Sequence, residues 1–128
     1  MAKEVPPAEL LRQLESDIEL LLADAGTQNA WVDRGRYPAE EMALQLYDAV
    51  DVFSGRLRES RLIDSSDEER LSELVGYLSE VQPALFVNQS DYVDGWYVTD
   101  APQWAQVRDV AARALASLRR PVSEKDIT

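Results

Sequence analysis

Four stretches of the chain carry apolar residues at the three-and-four spacing that turns one face of an α-helix toward a core. In the first, Leu10, Leu11, Leu14, Ile18, Leu21, Leu22 and Ala25 form one stripe. Pro6-Pro7 opens it and Gly26 follows it, the usual placing of proline in a first turn and glycine beyond a last. The second runs from about Pro38 to about Ser60, with Met42, Ala43, Leu46, Ala49, Val50, Phe53 and Leu57 inward. Its acids (Glu40, Glu41, Asp48, Asp51) precede its bases (Arg56, Arg58, Arg61), which suits the helix dipole. Gly55 inside this helix costs about 1 kcal/mol relative to Ala, and the expected compensation is a second backbone packed close to it.

The third stretch opens on Ser66-Asp67-Glu68-Glu69, which reads as a capping box with Ser66 at the cap and Glu69 reaching back. Leu71, Leu74, Val75, Leu78 and Val81 are its stripe, and Pro83 is expected to stop it. The fourth begins at Asp100-Ala101-Pro102-Gln103 and buries Trp104, Val107, Val110, Ala111, Ala114, Leu115 and Leu118. Arg119 and Arg120 close it, and residues 121–128 read as a frayed tail after an ordered core of about 6–120.

Four such helices predict an all-α fold, an up-down-up-down four-helix bundle formed by residues 1–128 as one domain. The connections are unequal. About six residues join the second helix to the third, whereas Gly26 to Tyr37 and about Gln82 to Thr99 are long, and in this topology both long loops lie at one end. They hold Trp31, Tyr37, Phe86, Tyr92, Trp96 and Tyr97, six of the ten aromatic residues. Asp94-Gly95, set between Tyr92-Val93 and Trp96-Tyr97-Val98, is the signal of a two-residue turn and predicts a short β-hairpin.

Composition narrows the chemistry. At 128 residues with 45% apolar positions, about two-thirds of the unfolded surface can be buried without disulfides or metals. The absence of Cys and His removes thiol nucleophiles, Cys/His zinc sites and an imidazole base, and no cofactor is expected. A formal charge of −11 opposes binding to nucleic acid or anionic membranes and favours a basic protein partner. The N-terminal residues lack the profile of a signal peptide and the longest apolar run is Leu20 to Ala23, so a cytoplasmic location is expected.

Two enzymatic readings deserve weighing against the residues. Asp48-x-x-Asp51 and Asp64-x-x-Asp67 could hold Mg²⁺ through two pairs of carboxylates. This pattern loosely resembles the acidic pairs of the helical nucleotide pyrophosphatases, and that resemblance implies a Mg²⁺-dependent hydrolase. It departs from the family in having Asp throughout and in placing Asp64 and Asp67 across a loop and a helix cap. Chance alone places about four acidic pairs at this spacing in a chain this acidic, and there are three. Leu11-Arg12 with Asp17-Ile18 looks like the opening of the helical chorismate mutases, but that family needs several cations and this helix offers only Arg12.

The stretch Asp91-Tyr-Val-Asp94-Gly-Trp-Tyr-Val-Thr-Asp100 threads three carboxylates with three aromatics. Aromatics give contact area at low entropic cost, and carboxylates pair with Lys or Arg of a basic partner. Small acidic helical proteins that block basic nucleases, such as bacterial immunity proteins, have a similar mixture. The expected activity is therefore non-enzymatic: an acidic protein–protein interaction module that holds a basic partner through Trp31, Arg34, Arg36, Tyr37, Asp91, Tyr92, Asp94, Trp96 and Tyr97. The competing expectation is that the loop aromatics plug the end of the bundle, with Arg34 and Arg36 clamping the loops through Asp91 or Asp94. A homodimer through the bundle faces is a further possibility.

Overall fold

The computed structural model describes residues 5–35, 39–86 and 98–125. Among them the chain is all-helical, with five α-helices: α1 (Pro7–Leu22), α2 (Ala25–Gly35), α3 (Glu41–Glu59), α4 (Ser65–Leu85) and α5 (Gln103–Leu118), followed by one 3-10 turn at Val122–Glu124. The helix α1 packs on α3 and α5, and α4 packs on α3 and α5. The four apolar stripes meet in the middle, where Leu14, Ile18, Leu46, Leu74, Leu78, Val107 and Ala111 have no exposed surface. Val50, Phe53, Val75 and Val81 lie at the edges of their stripes and are half-buried.

Several expectations need correction. The first long connection is largely the helix α2, because Asp24 caps it: its Oδ1 accepts from the backbone N–H of Thr27 at 2.7 Å. That cap puts Gly26 inside α2 and leaves Ala25 exposed instead of in the core. The buried residues of α2 are only Gln28 and Val32, one turn apart, so its stripe is too narrow and too polar to read from the sequence. Gln28 is held by its amide, which donates to the carbonyls of Leu20 and Leu21 at the open end of α1.

The capping box of α4 lies two residues earlier than expected. Asp64 is the cap: its Oδ1 accepts from the N–H of Asp67, whose Oδ2 accepts from the N–H of Asp64, both at 2.9 Å. Pro83 does not stop α4, which continues to Leu85. The proline lies in the last turn, and the carbonyls that end the helix are satisfied from elsewhere: Thr99 Oγ1 donates to Ala84, and Thr99 N–H and Trp104 Nε1 to Leu85. At the start of α5 the cap position is Pro102, with no side-chain cap bond from Asp100. Gly55 is not approached by another backbone; a Cβ there would meet nothing within 4 Å.

The largest correction is at the C-terminus. Residues 121–125 are not frayed: they fold back through the 3-10 turn and bury Lys125, whose Nζ donates to the carbonyls of Leu62 and Leu118 at 2.7 and 2.9 Å. The α3–α4 connection that receives it leaves α3 through a Schellman turn. Arg61 sits there at φ 62°, Arg61 N–H returns to Arg58 and Leu62 N–H to Leu57. The Asp94-Gly95 hairpin falls outside the described residues; the ends of that segment are joined by an antiparallel bridge between Phe86 and Val98.

Candidate functional site

The two long connections do meet at one end. Val98 N–H donates to Asn29 Oδ1 of α2 at 3.3 Å, and Arg108 of α5 donates to the carbonyl of Ala23 that follows α1. Of the aromatics assigned to these loops, Phe86 belongs to the core: it is buried and meets Trp104 edge-on with ring centres 5.9 Å apart. Arg108 lies over Trp104, 5.2 Å from a ring centre. Trp31 is half-buried on α2, packed on the edge of the core, and Arg34 is exposed in the last turn of that helix. Arg36, Tyr37, Asp91, Tyr92, Asp94, Trp96 and Tyr97 lie outside the described residues, and so does the clamp expected between the loops.

Trp31 leads to a surface that the sequence did not single out. It lines a hollow with Thr27 of α2, Gln13, Ser16, Asp17, Glu19 and Leu20 of α1, and Gln45 of α3. A second hollow adjoins it along the α1–α3 seam. Gln13, Asp17 and Gln45 line both, and α3 adds Asp48, Ala49, Val52 and Phe53. Among the described residues no Lys or Arg lines either one. On α3 the exposed residues Leu44, Asp48 and Val52 recur every four positions, so an acid stands between two exposed apolar side chains on one face.

Asp17 is the least ordinary member of this surface. Only 8% of it is exposed, yet among the described residues its carboxylate accepts one hydrogen bond, from a neutral amide, Gln13 Nε2 to Oδ1 at 3.1 Å. No cation pairs with it among the described residues. Burial pushes its pKa up and the Gln13 bond only partly opposes that shift. Its neighbour Glu19 is differently placed, since with Glu15 it accepts from Arg119 of α5. The polar spacing of Gln13 and Asp17, one turn apart beside the Leu14/Ile18/Leu21 stripe, was the only hint of this in the sequence.

The residues of the metal reading are not brought together. Asp48 and Asp51 are exposed in the middle of α3, whereas Asp64 and Asp67 are buried where α4 begins. No group of three or more acidic side chains that could hold a metal ion occurs among the described residues. Asp64 and Asp67 are already neutralised from within the chain. Arg120 donates to an oxygen of each at 3.0 Å, Lys125 Nζ lies 3.1 Å from Asp67 Oδ2, and Ser117 Oγ donates to Asp67 Oδ1. Comparison with family models, curated proteins and solved structures finds no match. No helix among the described residues is long and apolar enough to cross a membrane.

Proposed function

We propose that this protein is a non-enzymatic interaction module, an inhibitor or immunity-type protein of the cytoplasm, that holds a basic protein against the face built by α1, α2 and α3. The observation that carries the reading is the pair of adjoining hollows, where Asp17 and Asp48 stand among Trp31, Phe53 and Val52 with no basic side chain among the described residues of the lining. Acids beside aromatic and aliphatic surface provide what a basic interface needs: charge to steer association and apolar area to hold the complex. The overall charge of −11 acts in the same direction over longer range. A second copy of the chain is the poorer occupant, because it would bring Asp48 and a further −11 against the same surface.

The helix order and neighbours support the finer architecture, an up-down-up-down bundle of α1, α3, α4 and α5 with α2 laid across one end. In that arrangement Trp31 on α2 lies toward the end at which residues 86 and 98 are joined. The sequence 91–100 offers the same partner chemistry, with Tyr92, Trp96 and Tyr97 as further candidate anchors and Asp91 and Asp94 as further candidate charges.

The test is capture of the partner from the source cell, followed by measurement with purified components. Trp31→Ala is expected to weaken the complex by about 2 kcal/mol. Asp48→Asn is expected to slow association and flatten its salt dependence. A partner that binds both variants as it binds the parent protein would overturn the assignment of this face.

A further inference from the structure

We propose that Asp17 is the receptor for a single arginine side chain of the partner, seated in the α1–α3 seam between Gln13 and Gln45. This rests on the interaction reading above and assigns the residue at its centre. A carboxylate largely withdrawn from water, as Asp17 is at 8% exposure, is less stable without a cation than one left fully exposed. Here the compensation among the described residues is one amide hydrogen bond, and Asp17 lines both hollows. No cation among the described residues answers it, and the proposal gives that role to the partner.

The surroundings favour a guanidinium over the other cations. A divalent metal takes six or more oxygen ligands, and no cluster of acids that could supply them occurs among the described residues. An ammonium is strongly hydrated and would have to shed that water to enter a seam walled by Ala49 and Phe53. A guanidinium is weakly hydrated, offers five N–H donors in one plane, and stacks on aromatic rings. Asp17 takes two of those donors. Gln13 has already spent its amide N–H₂ side on Asp17, which leaves its carbonyl oxygen as an acceptor beside the carboxylate.

The experiment uses N-butylguanidinium and n-butylammonium as surrogates for the two side chains, titrated into the full chain and followed by the side-chain amide signals of Gln13 and Gln45 and the indole signal of Trp31. Butylguanidinium is expected to bind saturably and more tightly than butylammonium. Asp17→Asn should weaken it by about tenfold or more while the variant remains folded, and Glu69→Gln, exposed on α4 and lining neither hollow, by less than about threefold. Equal binding by Asp17→Asn, equal binding of the two cations, or no saturable binding would overturn the proposal. A nona-arginine peptide separates this failure from that of the broader reading. If it binds the parent and Asp17→Asn alike at physiological salt, the receptor assignment falls and the module stands. If it does not bind the parent at all, both fall.

Discussion

Two regions of this molecule bury carboxylates, and they treat them in opposite ways. At the start of α4, Asp64 and Asp67 are 2% and 0% exposed and are surrounded by Arg120, Lys125, Ser117 and each other's backbone N–H groups. In the α1–α3 seam, Asp17 is 8% exposed and receives one amide. The first site is complete within the chain; the second has no cation among the described residues. A buried ion is tolerated when its charge and its lone pairs are both answered, so the complete site reads as structural and the incomplete one is where the proposal puts an external cation. The same element type, an aspartate on a helix, therefore has two meanings that only its neighbours distinguish.

The contrast breaks most visibly at the complete site. Lys125→Met keeps the length of the side chain but leaves Asp67 as a buried anion short of a partner, and is expected to cost about 3–5 kcal/mol in urea unfolding. A cost below about 1 kcal/mol would mean that the last residues contribute little and that the tail is frayed after all. Asp67→Asn on top of Lys125→Met should recover part of the loss, because the orphaned charge goes with it. The coupling expected from that double-mutant cycle is about 1–3 kcal/mol, and strict additivity would argue that the two groups do not act together.

Much of the fold was legible because its signals are local. The stripes of α1, α3, α4 and α5 recur with the helical period, and most of the residues assigned to them are buried in a common core. What could not be read depends on contacts distant in sequence. The helix α2 buries Gln28 on carbonyls of α1 and so has a polar residue where a stripe should be apolar. Lys125 looks like a solvated tail residue until its ammonium is seen on Leu62, Leu118 and Asp67, which are up to 63 residues away. Asp64 and Asp67 read as candidate metal ligands because sequence gives their spacing but not the Arg120 and Lys125 that occupy them. Asp17 was invisible for the converse reason: a polar residue beside an apolar stripe looks like a solvated edge, and only packing against α3 turns it into a buried charge. Trp31 was singled out for being aromatic in a loop, and it lines the seam for a different reason, its position on α2.

The smaller effects sharpen the other half of the comparison. Asp17 has a pKa raised by burial, so the native state binds its proton more readily than the unfolded chain does. Between the ordinary carboxylate range and that raised value the native state carries more protons, and stability contributed by this group falls as pH rises through the window. Asp17→Asn removes the penalty while keeping an oxygen that can accept from Gln13. The variant is expected to melt at a higher temperature than the parent at pH 7, with the difference closing as the pH is lowered below the carboxylate range.

Asp48→Asn is the control on the same face, and the smallest change expected. Asp48 is exposed and already in water, so its substitution should move stability by no more than about 0.5 kcal/mol at any pH. A parent that melts above Asp17→Asn at pH 7 would show that Asp17 is supported from within, like Asp64 and Asp67, and would remove the distinction between the two sites. A gain in stability matched by a loss of butylguanidinium binding is what a binding residue produces and a structural one does not, since the parent then retains a destabilising charge that only an external cation relieves.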